Sequence, residues 1–289
     1  MIQAAVPEGT ALETLPAGTD LRPAATSHES PILVHRHERD RYWRMILYAP
    51  AVARTALPGQ FVMITPARRG ESWPVLPRPM AVYDTDPDAA TVTIVYGVVG
   101  DGTRHLSGFR AGESVVTVGP LGRPFTLAEG SRSLLVMGRG IGACSLTMLA
   151  RSARAAGLKV MALASGRSPA ATVGAGYYAA HGIPFVEAHD SDGSSDPAVL
   201  SSLLSEGGPW DSIAVCGSLR LTALAHRLGQ AWDAEVLVSL EARMACGLGY
   251  CHGCSTGQQT AAAEAPLICH DGPVFRLVES KGAREKGST

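Results

Sequence analysis

Leu134-Leu135-Val136-Met137-Gly138-Arg139-Gly140-Ile141-Gly142 is the stretch that decides how this chain is read. The four large apolar residues run without the alternation of a half-solvated strand, so they describe a strand buried on both faces. A glycine-rich turn follows at once, and residues 141–156 read as the helix that the turn opens. Strand, glycine turn and helix in that order place helix N-terminal amides where a pyrophosphate can rest. The same turn also serves simply to pack a helix closely on its strand. Arg139 stands where a small residue would keep the turn open. It either pairs with a phosphate or obstructs one.

Towards the C-terminus the alternation continues. Residues 159–164, 185–188, 212–216 and 235–240 read as apolar strands, and residues 169–180, 197–204 and 219–231 as helices between them. Residues 131–240 therefore predict an α/β domain, a Rossmann-like parallel sheet covered on both faces. No acidic residue ends its second strand to hold a ribose 2′-hydroxyl. Ser165-Gly166-Arg167-Ser168 stands there instead, and Arg167 is able to accept a 2′-phosphate, which leaves NADH or NADPH open. Cys216-Gly217-Ser218 ends a later strand at the edge where open α/β sheets bind ligands, so Cys216 can approach a nicotinamide. The competing reading is a small buried hydrophobe, which is also how Cys144, inside the first helix, is read.

Towards the N-terminus the pattern is different. Residues 32–37, 42–48, 60–65, 80–83, 91–98 and 114–118 are short runs rich in Val, Ile and Tyr between Pro, Gly and Asp clusters, with one short helix at 103–109. This spacing predicts a small antiparallel Greek-key β-barrel over residues 31–130. Arg78-Pro79-Met80-Ala81 begins a barrel strand, and an Arg so placed takes a phosphate oxygen in bidentate fashion. Gly100-Asp101-Gly102-Thr103 offers backbone amides to a second phosphate. Residues 1–30, rich in Ala, Pro, Thr and Gly and without periodicity, are expected to be a disordered extension or to drape over a partner.

Past residue 240 comes Glu241-Ala242-Arg243-Met244-Ala245-Cys246-Gly247-Leu248-Gly249-Tyr250-Cys251-His252-Gly253-Cys254, and then Cys269. The spacing C-x4-C-x2-C-x14-C is that of a plant-type [2Fe–2S] centre, and Cys246, Cys251, Cys254 and Cys269 are its expected ligands. Structural zinc usually takes paired C-x2-C knuckles, which this pattern lacks. Disulfides compete less well, because the chain holds 6 Cys in 289 residues and its first basic residue, Arg22, comes too late for a secretory leader. His252 reads as a neighbour of the ligands. Residues 241–278 form the expected cluster domain, and residues 279–289 a fraying tail. The net charge of −1 offers no electrostatic case for nucleic acid or anionic membrane, and no apolar run approaches the ~18 residues of a membrane span. The expected location is the cytoplasm. No triad or carboxylate pair suggests acid–base catalysis.

Taken together, the chain resembles the ferredoxin–NAD(P) reductase superfamily, and more closely the electron-transfer subunit family of class 1B dihydroorotate dehydrogenase, over about residues 30–277. The resemblance is carried by residues 239–247 with the four Cys, and by Cys269-His270-Asp271-Gly272-Pro273-Val274-Phe275. It implies an FAD barrel, a nicotinamide domain using NAD(P)(H) and a C-terminal [2Fe–2S] loop. It also implies an FMN-containing catalytic partner, two copies of each subunit, and a role in pyrimidine biosynthesis. Arg78, Pro79, Met80 and Ala81 match the family's Arg-Pro-x-Ser flavin motif, with Ala81 in place of Ser. Val95, Tyr96 and Gly97 fall on its flavin strand, and Gly102 and Thr103 on its pyrophosphate motif. Gly138, Gly140 and Gly142 match Gly-Gly-Gly-Ile-Gly with Arg139 inserted, and Cys216 with Gly217 matches Cys-Gly-Pro. Because these motifs have drifted while the cysteines match fully, a reductase serving another partner, or a redox relay without nicotinamide, is the alternative.

Overall fold

The computed structural model describes residues 6–15, 24–258 and 264–280. Two seven-stranded sheets form its frame. The chain enters through β1 (Thr10–Thr14) and then builds the first sheet from β2 (Thr26–Arg39), β3 (Tyr42–Tyr48), β4 (Phe61–Ile64), β5 (Arg78–Ala81), β6 (Asp84–Asp86), β7 (Thr91–Gly97) and β8 (Ser114–Leu121). Short helices α1 (Pro50–Thr55) and α2 (Asp101–Leu106) fill two of the connections. The strand order is β5-β4-β8-β2-β3-β7-β6, and every pair is antiparallel. Strand β8 returns by a long path to lie between β2 and β4, which is Greek-key topology. The end strands β5 and β6 meet at a corner. There the Val82 N–H donates to the Gln60 carbonyl at 3.0 Å and the Tyr83 N–H to the Thr93 carbonyl at 3.0 Å. The corner thus bonds both edges, and the sheet curls on itself. Met45 and Leu47 of β3 and Val92 and Ile94 of β7 point into this half-barrel, two residues apart as the pleat requires.

The second sheet is built from β9 (Ser133–Arg139), β10 (Lys159–Gly166), β11 (Phe185–His189), β12 (Ser212–Cys216), β13 (Glu235–Ser239) and β14 (Val274–Glu279). Its order is β1-β14-β13-β12-β9-β10-β11. The run β13 to β11 is parallel, whereas β14 and β1 add antiparallel strands beyond β13. Helices α3 (Thr147–Ala155) and α4 (Ala175–Ala180) cover one face, and α5 (Pro197–Glu206) and α6 (Leu219–Trp232) the other. Successive residues of β9 serve opposite cores: Leu134 and Val136 face α3, while Leu135 and Met137 join the core of α5 and α6. That is why its sequence is continuously apolar. Helix α5 begins cleanly because Pro197 occupies its first position and the Asp196 carboxylate accepts the Ala198 N–H at 2.8 Å. No helix among the described residues is long and apolar enough to cross a membrane.

Several elements differ from expectation. The N-terminal extension is not structureless throughout: β1 pairs with β14 and buries Leu12, a five-residue strand whose stability comes from its partner. Other parts of the extension, residues 1–5 and 16–23, and residues 281–289 of the tail lie outside the described residues. The glycine turn opens a 3-10 segment, Gly140–Ser145, before α3 begins. Likewise Pro169–Ala171 is a 3-10 turn separated from α4 by Gly174 at φ 102°. Strand β6 and helix α1, at 3 and 6 residues, are too short to show periodicity. The expected cluster segment ends in β14, which pairs antiparallel with β13 and so joins the second sheet.

Candidate functional site

A bent cavity runs between the half-barrel and the parallel sheet. Its larger lobe, about 530 Å³, is lined by β5, β7, the first turn of α2 and residues 241–244. That is within the roughly 300–1,000 Å³ usual for small-molecule sites. The smaller lobe, about 180 Å³, reaches Gly142, Ser145, Cys216 and Ser239 at the edge of the parallel sheet. Pro79, Ala81, Ile141, Glu241, Ala242 and Met244 wall both lobes. The cavity therefore lies where two domains and the cysteine segment meet.

The flavin candidates gather in the larger lobe. Arg78, Pro79, Met80 and Ala81 form one wall, and Val95, Tyr96 and Gly97 another. Gly102 lies so close to the Arg78 guanidinium that a side chain there would collide with it. Arg78 is anchored by donating from Nη1 to the Leu76 carbonyl at 2.6 Å. The Thr103 hydroxyl is already engaged: it accepts from the Val99 N–H at 2.9 Å and the Gly100 N–H at 3.1 Å, and donates to the Gly100 carbonyl at 2.9 Å. It shapes the turn, so an anion here meets backbone amides and Arg78. The Tyr96 ring belongs to the barrel core. His35 Nδ1 lies 2.8 Å from the Phe109 carbonyl and must donate to it, so His35 Nε2 accepts the Tyr96 hydroxyl at 2.9 Å. Burial holds the His35 ring below its usual pKa, which keeps it neutral.

At the smaller lobe, Gly138 of β9 and Cys216 of β12 are register partners. This is the point where the strand order reverses, the favoured ligand position of an open α/β sheet. Gly217, at φ 117°, turns away from β12 under the Arg139 carbonyl. A Cβ on Gly142 would come within 2.7 Å of the Gly217 Cα, and one on Gly217 would meet the Arg139 carbonyl instead, so the close approach of the two turns needs glycine at 142. Cys216 is buried. Desolvation and then the Glu241 carboxylate raise its thiol, against smaller opposing hydrogen bonds with Ser145 and Ser239. It is a neutral, compact wall of the lobe. Glu241 is exposed to the cavity, and the surrounding walls raise its carboxyl by desolvation.

Arg139 neither enters the cavity nor stands free. Its Nη2 donates to Asp190 Oδ2 at 2.6 Å and its Nη1 to Ser165 Oγ at 3.1 Å. Asp190, just past β11, also accepts the Ser195 hydroxyl and Arg220 Nη2, the latter at 2.8 Å. The Arg139 hydrogen bond, then those of Ser195 and Arg220, hold the Asp190 carboxyl well below the usual carboxylate range. Arg167 is exposed immediately after β10, and its carbonyl accepts the Ser191 N–H at 3.1 Å, next to Asp190.

The cysteine segment leaves β13 and returns to β14 through a neck closed by the Leu240 N–H on the Pro273 carbonyl at 2.9 Å. A short ladder, the Thr256 N–H on Pro266 at 2.9 Å and the Ile268 N–H on Cys254 at 3.0 Å, brings Cys269 back beside Cys254. Gly247, at φ 71°, presses on the Met63 side chain of β4, with no room for a Cβ. Amides turn to sulfur: Gly249 N–H donates to Cys269 Sγ at 3.1 Å, and Leu248 N–H to Cys246 Sγ at 3.4 Å. Burial opposes ionisation of Cys246, but the Leu248 and Cys251 amides and the Cys251 thiol outweigh it and bring its thiol to about 7. Cys254 is lowered chiefly by the Cys269 thiol, which is raised in turn.

The donor set fits an iron–sulfur centre. All four donors are thiols, and three of their neighbours, the Leu248, Gly249 and Cys269 N–H groups, donate to sulfur. Thiolates with backbone N–H groups directed at their sulfurs are the setting such a centre takes. Sequence reasoning named the cysteines, the residues that wall the larger lobe and those at the switch point. It missed Ser145, Ser239 and Glu241 in the smaller lobe and Asp190, Ser195 and Arg220 around Arg139. Glu241 carried one usable signal, an acid directly after a buried strand; the others are ordinary polar residues far apart in the chain.

The model of one family, the iron-sulfur cluster binding domain of dihydroorotate dehydrogenase B, matches residues 241–280. The dihydroorotate dehydrogenase B (NAD(+)) electron transfer subunit of Bacillus caldolyticus is 34% identical over 244 residues, 83% of this chain and 93% of that protein. Its namesake in Geobacillus kaustophilus is 33% identical over the same share of each chain. In fold, the chain is similar to an NADH-dependent reduced ferredoxin-NADP oxidoreductase, with a TM-score of 0.72 and 24% identity over 86% of this chain and 87% of that one. Phthalate dioxygenase reductase shares the fold at a TM-score of 0.56 and 16% identity, over 75% and 70% of the two chains. With a sequence one-third identical over nearly the whole of a relative, the chain belongs to the family of dihydroorotate dehydrogenase B electron transfer subunits.

Proposed function

We propose that this chain carries electrons between a nicotinamide coenzyme and an FMN-bearing catalytic subunit that oxidises dihydroorotate, in a cytoplasmic assembly of two copies of each. FAD in the cavity would supply the exchange between a two-electron hydride and single electrons, and a [2Fe–2S] cluster on the cysteine loop a one-electron carrier. The chain's own work is placement. Arg78 and the amides of Gly102 and Thr103 hold the charged end of the larger lobe. Cys216, Ser145 and Glu241 shape the end that opens at the switch point. Gly249 and Leu248 direct amides at sulfur, which tunes a centre held there.

The observation that carries this reading is the join between cavity and loop. Met244 walls both lobes, and Cys246 follows two residues later, a reach of at most about 7 Å. The Met63 contact of Gly247 pins the loop to the barrel at that place. On the outer side Cys251 is exposed, with Leu248 at 54% and Tyr250 at 90% exposure beside it, which suits a partner's surface. Anaerobic rapid mixing of the holoprotein with NADH and with NADPH tests the reading. Bleaching of flavin absorbance followed by that of the cluster is expected with at least one of them; no bleaching with either would refute nicotinamide use. Co-purification with an oxidoreductase unable to oxidise dihydroorotate would refute the partner.

A further inference from the structure

The phosphate cradle that the sequence suggests is not built in the ordinary way. The glycine turn begins a 3-10 segment of six residues, and its second position is Arg139. That guanidinium is spent on Asp190 and Ser165 and is only 17% exposed. Asp190 is spent as well, on Arg139, Ser195 and Arg220. Arg220 is different. It lies in the first turn of α6, directly after the Cys216-Gly217 turn at the switch point. Every hydrogen bond it makes among the described residues runs through Nη2, to Asp190 at 2.8 Å and Ser195 at 3.3 Å. Its side chain is 49% exposed, so Nε and Nη1 keep their donors for a ligand. The trio of Arg139, Asp190 and Arg220 carries one net positive charge at the edge where such sheets take their ligands.

We infer that Arg220 takes a phosphate of the nicotinamide dinucleotide, and that Asp190 and Arg139 are positioning residues that aim it. The inference rests on the nicotinamide reading above. A guanidinium whose orientation is already set by a carboxylate loses less freedom on binding than a free one, so its bond to phosphate is stronger. Arg139 would then be a brace: it neutralises Asp190, which leaves the charge of Arg220 uncancelled. This explains why the turn tolerates a large cation where a small residue is usual, since its cation is directed along the sheet edge and away from the cavity.

Calorimetric titration of the FAD-loaded protein with ADP-ribose, which carries the pyrophosphate without the nicotinamide, tests this at two ionic strengths. Arg220→Gln is expected to weaken binding roughly 10- to 100-fold and to flatten its salt dependence. Arg220→Lys should recover part of the loss, and Asp190→Asn should weaken binding by a smaller factor. Wild-type affinity in Arg220→Gln would overturn the inference, as would a loss equal at both salt concentrations and not eased by Lys. Absence of ADP-ribose binding in the wild-type protein, together with no flavin bleaching by NADH or NADPH, would instead bring down the nicotinamide reading and this inference with it.

Discussion

The cysteine loop and the edge of the parallel sheet are both glycine turns that present a ligand site, yet they are assembled at different ranges. The loop is local: three of its four thiols fall within nine residues, 246–254, and the fourth returns through one short ladder. The edge is assembled from residues 139, 165, 190, 195 and 220, brought together by four separate strand ends. A covalent ligand set tolerates no substitution, because each missing thiolate leaves a metal short of its coordination. A charged edge tolerates exchange, because any arrangement with the right net charge and free donors still attracts phosphate. The loop accordingly shows a recognisable spacing, and the edge carries an ion-pair network of Arg139, Asp190 and Arg220.

The sharpest way to break this contrast is at the loop. Cys251→Ser removes the exposed thiol of the four. It is expected to abolish iron binding and the visible cluster spectrum while FAD remains in the cavity, as read by metal analysis and absorption of the purified protein. Unchanged iron content would show that the loop also tolerates exchange. A large effect on stability is expected at the switch point. In Gly142→Val the new Cβ meets the Gly217 backbone at 2.7 and 2.9 Å, and backbone cannot swing aside. A loss of about 3 kcal/mol is expected, measured by chemical denaturation; a loss under about 1 kcal/mol would show that the edge relaxes as a loop does.

How far the sequence discloses the molecule follows the same division. The parallel sheet was legible because two buried faces demand a continuous apolar run, as in Leu134 to Met137. The half-barrel was legible from short runs rich in Val, Ile and Tyr between turn residues, as in β3 and β7. Strand β1 was not: its alternation spans only five residues, and it owes its place to β14, 260 residues later in the chain. The four cysteines could be grouped as candidate ligands from spacing alone, and Arg78 with Gly102 from motif order. The role of Arg139 could not be read, since its partner Asp190 is 51 residues away and nothing local signals the pairing.

Strand β1 joins the two kinds of assembly, because Leu12 is buried in the same core as Cys254, Cys269 and Ile268. The Leu12 N–H also donates to the Gln258 side chain at 3.0 Å. Truncation to Ala at a site 6% exposed should cost about 2–3 kcal/mol. The loss should fall on the cluster segment. Iron release to a chelator is expected to accelerate in Leu12→Ala, while flavin fluorescence, which reports release from the cavity, stays unchanged. Equal acceleration of both would mean that the loop has no stability of its own to lose.

The smallest effect belongs to the ion pairs of the edge, and it has a defined sign. Asp190 has a folded pKa below its unfolded value of about 3.9, because Arg139, Ser195 and Arg220 favour the carboxylate. Its contribution is therefore fully present above the unfolded pKa and is lost as pH falls through the folded one. Between pH 5 and 8 the thermal stability of the wild-type protein and of Asp190→Asn should differ by a constant amount. The Asp190 side chain is 38% exposed and Arg220 is 49% exposed, so solvent screening keeps that amount under about 1 kcal/mol. Below about pH 4 the difference should shrink as the carboxylate gains its proton. A difference that instead grew on acidification would mean that the pair opposes folding, and Asp190 would then owe its place at the edge to ligand binding alone.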